Sequence, residues 1–457
     1  MAVIDPVTAE LRTLRALSSG SVVVRGEPGY EEARLAWNVA APQHPAVVAV
    51  PETPSDIAFA LAFARDAGLR VNVQGTGHNA MPLGEMSDTL LIRTSRMNAV
   101  EIDAAGRRAR VGAGALWQDV VPQISPMGLA ALHGSSPDVG IAGYSLGGGI
   151  GYTGRRFGIQ ANSLLAVEII TAEGELVRAD ADNEPDLFWA LRGGGGNFGV
   201  VTALEFRLYP VESVYAGMMI WPWEQGEDVF SRWVEWTHGV PDEITSMARL
   251  LQVPDMDGVP DMIRGRQIAI VNAAFLGDED EGRRLFAPLR ELKPELDLFG
   301  TIPPAGLSTL HGDPDTPVPV ASDTLLLDSL PHEAIEAIMD NAGPGSNSSL
   351  LMAELRHLGG AFGRAEAHHG ALAKIDAEYV LFAGGIAATP EMVADVERDS
   401  TRLVEALSPH GRGGKYLNFA ERKVDTRSAS SELAYRRLRD IRAKVDPERL
   451  FRANHEI

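Results

Sequence analysis

Apolar residues follow two periods along this chain, and the switches between them mark its elements. Residues 8–17 read as a short helix ahead of Ser18-Ser19-Gly20. The run 51–68 opens with prolines, spaces its apolar residues along one face and stops at Gly68, which predicts a helix packed on a sheet. Strands are expected on both sides of it, near 46–50 and at 70–74, giving an α/β unit whose second strand runs into a glycine loop. Further strands are expected at 90–93, 109–111, 163–171, 176–178 and 200–209, with helices at 116–127 and 187–192.

From residue 215 the pattern changes to strands alternating with longer amphipathic helices. Strands are expected at 215–221, 248–251, 268–275, 350–358 and 377–382, and helices at 230–237, 281–292, 332–339 and 390–407. Four or five strands backed by helices make an antiparallel sheet facing a substrate. The stretch 300–323, rich in Pro, Gly and Asp, reads as a long surface loop over the mouth of a site. Residues 431–445 form a charged amphipathic helix stopped by Pro447, with Leu450 and Phe451 as packing anchors. At 457 residues the chain is longer than one core usually supports, so two lobes are expected. The boundaries read as 1–214, 215–409 and a closing segment 410–457.

Composition narrows the function. Hydrophobic content of 45% and charged content of 23% suit a globular enzyme. A net charge of −21 disfavours a nucleic-acid partner, since no broad basic face is available to release counterions. The first residues place acids before any apolar run, and no run of 18 charge-free apolar residues follows, so neither leader nor membrane span is expected and the location read is cytoplasmic. The absence of cysteine excludes disulfides, thiolate metal sites and thiol nucleophiles.

Candidate chemistry concentrates between residues 70 and 151. Arg70-Val-Asn-Val-Gln74-Gly75-Thr76-Gly77-His78-Asn79 carries a strand into a tight turn whose glycines let backbone N–H groups approach an anion. Gly134-Ser-Ser136-Pro137-Asp-Val139-Gly140-Ile-Ala-Gly143-Tyr-Ser-Leu-Gly147-Gly-Gly149-Ile-Gly151 is too rich in glycine for a regular helix and too apolar for a linker. It suits backbone laid against a flat or extended ligand; two ordinary turns around a core strand are the plain alternative. No dinucleotide fingerprint for nicotinamide is present as a strand–turn–helix unit.

Several ordered matches identify a resemblance. Gly75-Thr76-Gly77-His78 resembles the flavin-attachment loop of FAD-dependent oxidases of the vanillyl-alcohol oxidase (PCMH-type) superfamily, in particular the berberine-bridge-enzyme-like branch. The stretch 139–158, the run Asp186–Thr202 with four glycines before Asn197, and the C-terminal Tyr416-Leu-Asn418-Phe419 and Val445–Phe451 are similar to further signatures of that family. The match is strong over about 30–215, clear over 410–457 and weaker between. It implies an α+β, two-lobed FAD-binding PCMH-type fold, with the substrate domain built on an antiparallel sheet backed by helices and the C-terminal segment returning to the FAD lobe.

The resemblance implies FAD attached covalently through His78 as an 8α-histidyl flavin; a neutral imidazole nitrogen is a competent nucleophile near neutral pH. Where the two-link enzymes place a cysteine this chain has Ser136, so a single link is expected. Cofactor contacts are expected from Gln74, Gly75, Thr76, Gly77, Asn79, Ser136, Pro137, Gly140, Gly143, Gly149, Asn197, Val200 and Asn418. Val139 falls beside the oxygen-reactive edge, where a small side chain leaves room for O2; ordinary core is its alternative.

Tyr416 resembles the tyrosine that takes the substrate's hydroxyl proton. A phenol needs a lowered pKa for this, with Lys415 and Arg422 as local sources of charge. Phe419 stands where the family usually has a second tyrosine. Glu378 is the other candidate base; it and Tyr379 face opposite ways on one strand. Glu354, Arg356 and His357 offer charge or a proton relay on a neighbouring strand, or a solvated pair at a sheet edge. Trp221, Trp223, Trp233 and Trp236 stack on a substrate or fill core. Glu366, His368 and His369 mimic a metal cluster, but adjacent histidines diverge on a strand, and no metal is expected.

The function these readings lead to is a flavin oxidase that removes hydride from a hydroxyl-bearing sugar, aromatic alcohol or secondary metabolite and reduces O2 to peroxide. A flavin dehydrogenase or oxidative cyclase with another acceptor is one alternative, and a non-catalytic flavin-binding protein another. The expected partners are a small-molecule substrate and O2, with no nucleic acid or membrane, in a monomer or homodimer.

Overall fold

The computed structural model describes residues 8–257 and 259–457. The α/β unit forms as its sequence requires. Thr53 caps the helix Pro54–Asp66 by accepting from the Asp56 N–H, while the Asp56 carboxylate accepts from the N–H groups of Glu52, Thr53 and Ser19. The helix buries Ile57, Ala60, Leu61 and Ala64 against a four-stranded sheet, ordered Ser21–Val24, Val47–Val50, Thr89–Arg93 and Arg70–Gln74. The last three strands are parallel, so the glycine loop emerges at the C-terminal end of an edge strand.

A second, antiparallel sheet orders Val100–Asp103, Arg108–Gly112, Val200–Arg207, Leu164–Ile170 and Leu176–Asp180. The third has eight strands. Leu296–Asp297, Val214–Pro222, Gln267–Phe275, Ile244–Gln252, Met352–His357, Tyr379–Ile386 and Val320–Leu327 follow in order, and Gly300–Ile302 also pairs with Val214–Pro222. Helices Gly226–Thr237, His332–Ala342 and Pro390–Leu407 cover one face. Along Met352–His357, Ala353 and Leu355 enter that helix-covered core, so Glu354 and Arg356 project from the opposite face.

Three expectations need correction. The stretch 300–323 is no simple loop: it holds Gly300–Ile302, a turn of 3₁₀ helix at Pro304–Ser308 and the start of Val320–Leu327, an edge strand that the Pro-Gly-Asp composition hides. The helix expected at 281–292 breaks at Phe286 into Glu279–Leu285 and Ala287–Arg290, with Pro288 in the first turn of the second. The strand expected at 377–382 starts at Tyr379 and continues through Gly384 and Gly385; a side chain on Gly385 would meet Val396 of the covering helix and the Ser349 carbonyl, both at 2.8 Å.

The C-terminal segment returns to the first lobe. Val71 donates to the Leu450 carbonyl (2.8 Å) and accepts from the Arg452 N–H (2.7 Å), adding a bridge at Phe451 to the free side of Arg70–Gln74. Buried Arg442 ties this tail down through the carbonyls of Phe451 and Ile457, each at 2.9 Å. Among the described residues no helix is long and apolar enough to cross a membrane.

Candidate active site

The glycine segments, the eight-stranded sheet and the returning tail enclose a cavity of about 880 Å³. One wall is largely backbone. Gly77 has φ of 89°, and a side chain there would come within 2.8 Å of Ala36 Cβ, so only glycine fits the turn that presents His78. At Gly143 and Gly196 the reverse holds: both line the cavity, and an added Cβ would meet nothing within 4 Å. Missing side chains leave an open track along the backbone, the shape a flat, extended cofactor requires.

His78 is held at the head of this track. Its ring stacks on Trp37 at 4.1 Å and 17°, and Thr76 Oγ1 lies 2.8 Å from its Nδ1. Its Nε2 has no hydrogen-bond partner among the described residues and sits 3.5 Å from Asp138 Oδ1. Burial alone would raise the Asp138 pKa, but His78 and hydrogen bonds from Ser136 Oγ (2.7 Å) and Trp37 Nε1 hold it below the usual carboxylate range. Ser136, singled out in the sequence for lacking a thiol, thus orients Asp138. Trp37 and Asp138 carry no motif of their own, although Asp138 lies inside the second glycine segment.

Gln74, Gly75, Thr76, Asn79, Ser136, Val139, Gly140, Gly143, Tyr416 and Asn418 line the same cavity as His78. Asn79 donates to the Ala420 carbonyl at 3.0 Å, joining the attachment loop to the Tyr416 loop. Four of the expected cofactor contacts lie behind the wall. The Pro137 carbonyl accepts from Gln118 at 2.8 Å and starts a helix; Val200 packs in the core beneath the four-stranded sheet. Asn197 grips the tail, donating to the carbonyls of Gly194 (2.9 Å) and His455 (3.0 Å) and accepting from the Ile457 N–H. The Gly149 N–H donates to Tyr416 Oη at 2.7 Å.

Tyr416 is buried, and its oxygen accepts from both Gly149 and the Asn418 amide (3.2 Å). Burial pushes its pKa well above that of a free phenol, and the two donors and Arg356 only partly offset this. Lys415 and Arg422 do not supply the expected charge, because both turn to Asp323, at 2.7 and 3.4 Å.

Glu378 is a correction. It lies just ahead of the strand Tyr379–Ile386, its side chain is exposed and it does not line the cavity. Tyr379 faces the helix-covered core, bonded to Thr237 at 2.7 Å, so neither residue looks toward His78. His357 also faces away, where burial and Arg155 push its pKa down to about 2. The four tryptophans Trp221, Trp223, Trp233 and Trp236 are buried outside the cavity lining and stack on no ligand there. Glu366, His368 and His369 do approach one another, their ligand atoms within 4.8 Å, because they lie in a turn and not on the strand expected of them; Glu366 and His368 are exposed, and His369 Nδ1 contacts the Ala373 carbonyl at 2.7 Å.

The opposite wall carries charge that sequence spacing alone does not assemble. Register places Arg249 beside Glu354 on adjacent strands, and the loop after Pro304–Ser308 delivers His311 and Asp313 to them. His311 Nε2 lies 2.5 Å from Glu354 Oε2, and its Nδ1 2.5 Å from Asp313 Oδ1. Burial and Arg249 oppose protonation of His311, but the two carboxylates outweigh them and raise its pKa. Arg356 Nε donates to Glu354 Oε1 at 2.6 Å. Glu421, the acid after Phe419 and Ala420, also lines the cavity, and burial pushes its pKa up to about 8.

The chain is similar to several known proteins. The FAD binding domain family matches residues 45–180. An FAD-linked oxidoreductase of Bacillus subtilis is 29% identical over 95% of this chain and 97% of its own length. A chitooligosaccharide oxidase of Gibberella zeae is 25% identical, covering 94% of this chain and 90% of its own. The crystal structure of 6-hydroxy-D-nicotine oxidase from Arthrobacter nicotinovorans superimposes with a TM-score of 0.83 at 25% identity, over 96% of this chain and 98% of that one.

Proposed function

The chain belongs to the FAD-linked oxidoreductases of the vanillyl-alcohol oxidase (PCMH-type) superfamily, berberine-bridge-enzyme-like branch, and from that premise we propose that it oxidises an alcohol group of a small molecule and passes the electrons to O2. The observation that carries this reading is a cavity in which a side-chain-free track ending at His78 faces Tyr416 and a buried charged cluster. FAD held there supplies a two-electron hydride acceptor that O2 can reoxidise, with hydrogen peroxide as product.

The chain's own residues do the rest. His78 is the proposed point of covalent attachment, through an 8α-histidyl link; Asp138, beside its Nε2, is placed to take the ring proton, and Trp37 fixes the ring plane. Gly75, Gly140, Gly143 and Gly196 leave the backbone bare along the cofactor, and Gln74, Thr76, Asn79, Ser136 and Asn418 offer polar atoms beside it. Tyr416 receives the substrate's hydroxyl proton in its ionised form, which the Gly149 and Asn418 donors stabilise. Val139 keeps a small side chain beside the path of O2. The chitooligosaccharide oxidase and the nicotine oxidase act on very different molecules by their names, so the shared part is the oxidation itself.

The test is spectroscopic. Purified protein is expected to be yellow, to bleach anaerobically with an alcohol substrate found by a peroxide-release screen, and to recover its colour in air with formation of peroxide. Recovery only with an added electron acceptor would make it a dehydrogenase or cyclase; no bleaching by any alcohol would leave a flavin-binding protein without this activity.

A further inference from the structure

The face of the eight-stranded sheet that looks into the cavity holds more positive than negative charge, and one guanidinium there is not used up by protein. Each nitrogen of His311 sits 2.5 Å from a carboxylate oxygen, one of Asp313 and one of Glu354. A ring between two carboxylates is satisfied only when both nitrogens carry protons, so it is an imidazolium. Three cations, Arg249, His311 and Arg356, therefore face two carboxylates. Arg249 is turned to the loop and away from the cavity: its Nη2 donates to the His311 carbonyl at 2.7 Å, its guanidinium lies against the ring, and its Nε, buried without a partner among the described residues, does not reach the cavity lining.

Arg356 differs. Its Nε is fixed on Glu354 Oε1 and its guanidinium lies over the Phe419 ring at 4.8 Å, so the side chain cannot swing. Neither Nη group makes a hydrogen bond to another described residue, and the side chain is 12% exposed, toward the cavity it lines. A planar fork with two donors unspent, largely buried and facing a cavity, is the geometry that recognises a carboxylate. Beside it the wall is aromatic, with Phe419 under the guanidinium and Phe382 on the neighbouring strand.

We propose that Arg356 binds a carboxylate group of the substrate, so that this oxidase takes a flat, largely apolar alcohol that is also an acid. The inference rests on the alcohol-oxidase reading above and narrows its substrate class. Selection follows from the charge count: an acid balances the surplus cation, whereas its neutral amide or ester leaves Arg356 desolvated and unpaired.

The experiment titrates flavin-loaded protein with benzoate and 4-hydroxybenzoate and with their neutral counterparts, benzamide and 4-hydroxybenzamide, reading the perturbation of the flavin absorption band. The acids are expected to bind about 10- to 100-fold more tightly than the amides, the worth of a hydrogen-bonded charged contact. Arg356→Gln should remove that preference while leaving amide binding unchanged. Arg356→Lys, which keeps the charge and is the milder change for folding, should retain part of it. Equal binding of acids and amides to the wild type, or no perturbation by either acid, overturns the proposal whether or not the variants fold. So does an Arg356→Gln protein that keeps the acid preference and changes only the flavin's reduction potential, since the cation then serves the cofactor. These outcomes are read on protein that carries flavin, so they are separate from a failure of the oxidase reading, which shows as absent flavin or an absent peroxide product.

Discussion

On the side of strand Arg70–Gln74 the cavity is lined by backbone and small residues from short contiguous stretches, whereas on the side of the eight-stranded sheet it is lined by long side chains far apart in sequence. The first wall gets its shape from what is missing. Bare backbone at Gly143 and Gly196 leaves room, and a single positive-φ turn at Gly77 aims His78. The second wall gets its character from what is added: Arg249, His311, Asp313, Glu354 and Arg356 converge from two strands and a loop. A glycine track fits any flavin, so it can be shared among relatives. A charged cluster fits few substrates, and it is where this chain can differ from them.

The largest expected effect tests where the two walls meet. Tyr416→Phe removes the phenol oxygen at nearly constant volume and should slow anaerobic flavin reduction by about 10²–10⁴-fold, with FAD content unchanged. Because burial raises the Tyr416 pKa, its ionised form is scarce near neutrality and grows by about tenfold per pH unit below that pKa. Stopped-flow reduction of the wild type should therefore accelerate with pH through the whole accessible alkaline range. A rate that levels off above about 8 would point to Glu421, whose pKa lies there, and Glu421→Gln rather than Tyr416→Phe would then abolish the dependence.

Next in size is a change of stability confined to the charged wall. Glu354→Gln leaves Arg356 and His311 without their shared carboxylate, and breaking such a buried cluster should cost about 3–5 kcal/mol in denaturant unfolding. On the backbone wall, Val139→Leu should barely alter unfolding but should slow reoxidation in air more than it slows reduction; equal slowing of both half-reactions would remove Val139 from the oxygen path. Smaller still, Thr53→Ala loses the cap of Pro54–Asp66, outside the cavity lining, and should cost about 1 kcal/mol without touching either half-reaction. Glu378→Gln should change neither rate, since its side chain is exposed outside the cavity.

The same contrast explains how much was legible in the sequence. Strand Arg70–Gln74 and helix Pro390–Leu407 fall where periodicity and capping residues put them, and the loop carrying His78 is readable because its glycines and its histidine are contiguous. Val320–Leu327 was hidden by the Pro-Gly-Asp stretch that leads into it, and Tyr379–Ile386 was cut short by glycines that a covering helix requires. Glu378 reads as inward-facing in the sequence for a related reason: starting that strand two residues early makes an exposed residue before it look like a member of the inward face. Strand register decides which charges meet, and Glu354 with Arg249 and His311 is a fact of register and loop placement that no local spacing encodes. Trp37 stacks on His78 from a turn some forty residues away, for the same reason.

The most direct test of the account is where the flavin goes when the fold is destroyed. Wild-type protein and His78→Ala are each loaded with FAD, precipitated in acid and separated into pellet and supernatant, and the yellow chromophore is measured in both. Flavin is expected to stay with the wild-type polypeptide and to be released from His78→Ala, whose unfolding midpoint is otherwise little changed. Complete release of flavin from fully loaded wild-type protein would contradict it.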